Sequence, residues 1–420
     1  TGGGSGGSIL LHAENIAGSG TIQANGGAGL HSAVYVGGAG SGGRVTITCE
    51  KCTYSYHGHS GPRFSFAGNA TAYGGLYKAS TSPSAWKQVP IAGGEGERAL
   101  DWLATHPARA AAGTVLWKTG ASGADKSLIV RNALPTTLGL SYTVSLNGIE
   151  RANYTAALVA KSSSEFDDNY VFTSITLGSN AQLRVKPGQV VQSTFVYGDG
   201  SSVLVVSNAS TLEVAPTIEF HSVNLQLAGA LVGAQSLTLS GASVMGIYPN
   251  ATWSSAINTV QQLPSTGSIY HGINSRTSIL NATSVVLEDL AGIEFYGGDA
   301  YDGKRAALYC DELLMRDVGT FMSADNFGYR WTGSGSTDAM KVVNASSMHP
   351  LHQASGNISY GDGGWHAGRG GGAYYSYPTA GVAFFPVEYG AAGGSNAQYA
   401  GGAGGGAIRV IARSRVLVNG

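Results

Sequence analysis

Residues 6–13 read GGSILLHA and residues 405–412 read GGAIRVIA, the same phrase at opposite ends of the chain. A further copy, SGGRVTI, occupies 41–47, and between the first two copies lies GSGTIQANGGAG at 18–29. Each copy joins a glycine pair to three to six residues that alternate apolar and polar, the period of a strand with one buried face. The glycine pairs at 6–7 and 42–43 stand 36 residues apart with TIQAN between them. The spacing therefore predicts a strand-bearing coil about every 18 residues, in the range of a solenoid.

Strands this short gain little alone, but stacked in parallel each bonds to the strands above and below and lines up its apolar residues. Glycine suits the corners of such a stack because a sharp reversal often needs positive φ. The expected fold is all-β, a right-handed parallel β-helix with Gly-rich corners, right-handedness following the general rule for parallel crossovers. From Val171 to Gly246, runs rich in Val, Leu, Ile and Thr recur every 8 to 12 residues, continuing through about residue 345. That spacing also suits a sandwich; the glycine mechanism favours the helix.

One stretch departs from the pattern. GEGERALDWLATHPARAA at 94–111 carries helix formers at amphipathic spacing, so 54–111 reads as an insertion with a short helix. The expected organisation is then 1–53 N-terminal Gly-rich coils, 54–111 insertion, 112–360 central β-helix, and 361–420 C-terminal coils with an aromatic loop.

Composition agrees with many tight turns and few solvated helices. Glycine makes up 64 of 420 residues and charged residues 12%, against about 25% in ordinary domains. With 43% hydrophobic residues the chain is not a disordered Gly-rich protein. The formal net charge of −1 is scattered, leaving no basic stripe for nucleic acid. No apolar run reaches the 18 or so residues of a membrane span.

Seven N-x-[ST] triplets occur, at Asn69, Asn153, Asn208, Asn250, Asn281, Asn344 and Asn357, five of them Asn-Ala-[Ser/Thr]. They predict a secreted chain carrying N-linked glycans, hence an extracellular or cell-surface location. In CEKCTYSYHGH at 49–59, Cys49 and Cys52 with His57 and His59 have zinc-ligand types. A local Cys49–Cys52 disulfide suits an oxidising compartment better, and free thiols remain open. No metal ligand set is assigned. Calcium stays an open cofactor reading for the turns YGDGS at Tyr197 and YGDGG at Tyr360, with plain Asp-Gly turns against it. Cys310, within AALYC, reads as a buried core residue.

The phrases GGGSGGSI, GSGTIQANGG and GGAGSGGRVTI, the segment AAGTVLWKTGASGADKSLIVRNA at 111–133 and the closing GGAGGGAIRV resemble the Gly-rich repeat regions of large extracellular proteins of protists, algae and plants. Those regions are similar to pectin-lyase-like parallel β-helices. The resemblance implies a structural or adhesive ectodomain, in some protist relatives part of a surface fibril such as a flagellar hair, and not an enzyme. A polysaccharide-cleaving β-helix would need converging carboxylates. The best neighbourhood here holds Asp299, Asp302, Asp311, Glu312, Asp317 and Asp325, without the Asp-Asp and Gly-His-Gly groupings of the resembling hydrolases, and Asp167-Asp168 lacks a companion His or Arg. No catalytic residue is assigned.

The chain enters in mid-pattern at Thr1 and leaves in mid-pattern at RVLVNG, so it is expected to be a processed or partial chain, or one whose last coil is continued by the first coil of the next copy. The second expectation makes a self-assembling homopolymer, a filament built head to tail. Its assembly residues would be Gly6, Gly7 and Ile9 at one end and Gly405, Gly406, Ile408 and Val410 at the other. The rival expectations are a carbohydrate-binding module using the aromatics of 373–390, and a lyase or glycoside hydrolase using the 299–325 carboxylates.

Overall fold

The structure, a computed structural model, describes residues 2–30, 39–52, 69–75, 77–78, 111–120, 123–132, 155–158, 170–179, 181–248, 251–254, 278–295, 306–324 and 408–419. These residues are all-β with parallel sheets and almost no helix, and no helix among them is long and apolar enough to cross a membrane. The helix expected over 94–111 lies outside the described residues, apart from Ala111. Two compact units emerge, Thr1–Val205 with Phe220–Asn224, and Val206–Glu219 with Leu225–Gly420.

The first unit contains β1 (Ser8–Ala13), β2 (Thr21–Gln23), β3 (Gly29–Leu30), β4 (Arg44–Cys49), β5 (Asn69–Thr71), β6 (Tyr77–Lys78), β7 (Thr114–Thr119), β8 (Asp125–Arg131), β9 (Thr155–Leu158), β10 (Tyr170–Gly178), β11 (Gln182–Val185), β12 (Val190–Tyr197) and most of β13 (Val203–Val206). Three strands in a row are matched in parallel by the next three, β1 by β4, β2 by β5 and β3 by β6. Ser8 lies opposite Arg44, so 36 residues separate neighbouring strands. The 18-residue period expected for this region is therefore corrected: TIQ is not the neighbour of β1 but a strand of a second sheet. Alternation within one strand cannot tell these two placements apart. Strands β5 and β6 fall inside the span read as an insertion. The direction of pairing reverses once, at the antiparallel pair β7 and β8, before β8, β10 and β12 continue in parallel.

The glycines preceding β1, β4 and β7 do not act through turn geometry. None of Gly6, Gly42, Gly43 and Gly113 has positive φ. They lie where backbones touch: Gly43 N–H donates to the Ala24 carbonyl at 2.7 Å and Gly113 N–H to the Ala72 carbonyl at 2.7 Å. Gly6 N–H reaches the Ser41 carbonyl at 2.8 Å and Gly42 N–H the Ala111 carbonyl at 2.9 Å. A Cβ on Gly43 would overlap the Gly7 carbonyl, and one on Gly113 the Gly43 carbonyl. Absence of a side chain, rather than conformational freedom, is what these positions require.

The second unit contains β14 (Thr211–Val214), β15 (Thr217–His221, its last two residues in the first unit), β16 (Asn224–Leu227), β17 (Ala230–Val232), β18 (Ser236–Ser240), β19 (Val244–Ile247), β20 (Thr252–Ser254), β21 (Ser278–Asn281), β22 (Ser284–Leu287), β23 (Gly292–Phe295), β24 (Ala306–Met315), β25 (Phe321–Ser323) and β26 (Ile408–Val418). Strands β14 and β16 are matched in parallel by β17 and β19, at offsets of 19 and 20 residues, and β18 lies beside β15. Other neighbours in this unit lie farther apart in sequence, 22 residues for β17 and β20 and 48 for β18 and β22, so the period of about 18 read near the N-terminus is not kept throughout. Strand β24 pairs with β21 through Ala306–Tyr309 and with β22 through Glu312–Met315, so one long strand serves both rows.

Corners repeat as regularly as strands. The Pro216 carbonyl accepts from Gln235 and Ser236, the Gln235 carbonyl from Thr283 and Ser284, and the Thr283 carbonyl from Asp311 and Glu312, all at 2.7–3.1 Å. One carbonyl bridging two successive N–H groups leaves no orphaned donor at the bend, which a buried backbone demands. A second corner stacks the four-residue turns Ser240–Ser243, Glu288–Ala291 and Asp317–Thr320, each closed by a bond from its fourth N–H to its first carbonyl. Between the corners, alternate residues meet in a dry core that includes Leu212, Leu231, Trp253, Leu225, Met245, Ile293 and Leu308.

Candidate functional site

The sequence-derived assembly residues flank two outer strands. Among the described residues, β1 pairs only with β4 and β26 only with β24. On β1, Ile9, Leu11 and Ala13 pack against the core of Val45, Ile47 and Cys49 yet stay only partly buried, while those three are fully covered. On β26, Ile408 lies opposite Ala306 and Val410 opposite Leu308, and Val410 is half-buried. Gly6 and Gly7 lead into β1; Gly405 and Gly406 lie outside the described residues.

The end coils expected from the sequence to carry assembly span Gly2–Ala13 and Gly404–Val418, so the far half of β26 belongs to them. Val416 is in register with Leu313 and Val285, and Val418 with Met315 and Leu287; Val285 and Leu287 are fully buried, so this parity is the side of the sheet that faces the core. Val416 and Val418 are nevertheless 55% and 61% exposed. In the sequence RVLV alternates as well, but Arg413 and Ser414 separate it from IRVIA. The structure carries one strand through Arg413 and Ser414, with a register shift opposite Cys310 and Glu312.

Other candidate residues have local partners. Cys49 and Cys52 are joined in a disulfide that closes the turn after β4, and the Cys49 Sγ also approaches the Glu14 carbonyl at 3.6 Å. Ion pairs His12–Glu50 and Lys51–Glu14 cross the same turn. His57, His59, Asp167 and Asp168 lie outside the described residues, as do Asp299, Asp302, Asp325, the turn at Tyr360 and the aromatics of 373–390. Of the remaining carboxylates, Asp311 pairs with Arg413 at 3.2 Å, Glu312 lies opposite Arg415, and Asp317 accepts the Asp289 N–H at 3.0 Å. Among the described residues, no group of three or more His, Cys, Asp or Glu could hold a metal ion. Cys310 is a buried free thiol whose pKa is pushed up to about 11 by burial, with the Asp311 charge adding to the effect.

Asp199, in the turn considered for calcium, has its carboxylate occupied by the protein itself. It accepts from the N–H groups of Ser179 and Ser201 and from the hydroxyls of Ser201 at 2.7 Å and Ser202 at 2.9 Å. Burial alone would raise its pKa, but these hydrogen bonds outweigh burial and hold the carboxyl below its ordinary value. Because the folded pKa is the depressed one, its contribution to stability is complete above the unfolded value near 4 and is lost as pH falls through the folded value. The stability difference between wild type and Asp199→Asn should therefore shrink on acidification. Urea unfolding at neutral pH and at about pH 3 checks this, and an unchanged difference would show that the charge does not act here.

Phe195 and Tyr197 form a stacked pair on β12, with ring centroids 6.0 Å apart and planes at 14°. Three of the seven glycosylation acceptors are described. Asn69 and Asn208 are exposed, Asn281 is half-buried, and Asn153, Asn250, Asn344 and Asn357 lie outside. No protein-family model, no curated protein and no solved structure matches the chain.

Proposed function

We propose that the chain is an extracellular structural glycoprotein, a parallel β-helical building block that lengthens into a filament by stacking end coil on end coil. The observation that carries this reading is the uncovered inward row on both outer strands, above all Val416 and Val418. Apolar side chains on the core side of a sheet are favoured by any partner that removes them from water, at about 25 cal/mol per Å². A further strand laid along the same edge would also bond to its outward backbone groups, which no other described strand pairs with.

The shared phrase supplies a register. Ile408, Val410 and Ala412 correspond in sequence to Ile9, Leu11 and Ala13. An edge that accepts one such row can accept another, which makes the contact heterologous and the assembly open-ended. The strand offsets of 19 and 20 residues in the second unit, with three strands per repeat, support the β-helical reading. The Cys49–Cys52 disulfide fits an oxidising compartment, and the Asn-Ala-[Ser/Thr] triplets fit glycan coating of the sides.

Electron microscopy and light scattering of the purified protein test the proposal. Wild type is expected to form filaments with an axial repeat of one chain. Val416→Asp with Val418→Asp should disperse them, because each buried carboxylate would lack a partner. Val171→Asp, at an exposed position on β10, a strand with β8 on one side and β12 on the other, should leave them intact. A wild-type protein that stays monodisperse and monomeric across concentration would sink the assembly reading.

A further inference from the structure

The described acceptor triplets differ in a way that the sequence does not show. Asn208 is the exposed second residue of a turn in which Ser210 N–H donates to the Ser207 carbonyl at 3.1 Å and Ala209 takes positive φ, 59°. Asn69 is exposed at the first position of β5, which has β2 as its one neighbour among the described residues. Asn281 instead ends β21, a strand held on both sides, with Ser254 of β20 and Tyr309 of β24 directly opposite.

We infer that Asn69 and Asn208 carry N-linked glycans and that Asn281 does not, and that transfer to the first two takes place before their segments fold. A glycan on a turn tip or strand end projects into solvent without displacing a neighbour. A sugar added at Asn281 before folding would bar β21 from its place between β20 and β24, so chains that reach this fold lack it there. The order of events follows from the hydroxyl residues. Ser210 is buried and its Oγ donates to the Ser207 carbonyl at 2.7 Å, and Thr71 is buried as well. The feature that makes each triplet an acceptor is thus turned inward in the finished fold.

The donor class is a lipid-diphosphate-linked oligosaccharide. The Asn Nδ2 forms a bond to C1 of the reducing-end sugar, the bond from C1 to the diphosphate oxygen breaks, and the lipid diphosphate leaves with the electron pair. The amide proton passes to a base, and nothing is oxidised or reduced.

This inference rests on the secreted location in the reading above and not on stacking. The protein, purified from the cells that make it, is treated with peptide N-glycosidase in heavy-oxygen water, which converts a glycosylated Asn to labelled Asp. Label is expected at Asn69 and Asn208 and not at Asn281. Ser210→Ala should abolish the label at Asn208 while Ser210→Thr retains it, separating loss of the acceptor from disturbance of the turn. A label missing from Asn69 or Asn208, or present at Asn281, overturns the inference. Filaments of protein from those cells that carries no label at Asn69 or Asn208 would overturn it while leaving the stacking intact.

Discussion

Gly43→Ala is expected to destabilise the protein by about 3 kcal/mol or more, at the upper end for overpacking, while Gly7→Ala is neutral or slightly stabilising. Both glycines belong to the same kind of lead-in, one before β4 and one before β1. Neither has positive φ, so backbone strain does not separate them. Space does. The new methyl at Gly43 would meet the Gly7 carbonyl, the Gly6 carbonyl carbon and the Ala24 carbonyl, all of them backbone, whereas at Gly7 it would meet nothing within 4 Å. A flexible side chain could move aside, but these carbonyls are fixed by the bonds from Gly43 N–H to Ala24 and from Arg44 N–H to Gly7, at 2.7 and 2.9 Å. Relief therefore means parting the backbones and losing hydrogen bonds in a water-free position, where each orphaned group costs about 1–3 kcal/mol. At Gly7 the alanine only narrows the unfolded ensemble, worth about 0.4–1 kcal/mol in favour of the fold where its backbone conformation is compatible. Denaturant midpoints of the two variants decide the matter. Equal midpoints would mean that the glycines serve corner flexibility after all.

That contrast also marks what the sequence could and could not disclose. The strand character of ILLHA, RVTIT and AIRVIA was legible because two-residue alternation survives in any half-buried strand. Parallel pairing was legible from repeated phrases, since identical segments that bury the same face can lie side by side. The period at the N-terminus was misread, because Ile22 in TIQ alternates just as Ile9 does and only the pairing of β2 with β5 assigns it to another sheet. Glycine abundance was legible, yet its cause was not: close approach of Gly43 to Gly7 is a contact between segments 36 residues apart. At the candidate site, β1 and the first half of β26 were found through their shared phrase. Val416 and Val418 lay within the end coil read from the sequence, but Arg413 and Ser414 interrupt the alternation, so the side they share is set only by the register shift. The turn that holds Asp199 was legible, but its bond from Ser179, 20 residues distant, was not.

Trp253→Ala should cost about 3–5 kcal/mol, the range for removing a large buried aromatic side chain. Trp253 is 1% exposed and its indole N–H donates to the Ala234 carbonyl at 2.9 Å. Its strand occupies an unusual place. Strand β20 is inserted between β17 and β21, while the strands that follow β17 in sequence, β18 and β19, pair directly with β22 and β23. One row thus gains a strand that the other two lack. The indole is buried at that inserted strand, and its N–H satisfies a carbonyl at the corner between β17 and β18. Trp253→Phe keeps much of the apolar volume but drops the hydrogen bond, so a loss of about 1–2 kcal/mol is expected. Where the damage goes is as informative as its size. In a stack held together by neighbours, the loss should open β17, β20 and β21 to hydrogen exchange and leave β25 close to wild type. A uniform rise in exchange across all strands of the second unit would instead describe one globally cooperative core, and would count against the β-helical reading on which the filament proposal depends.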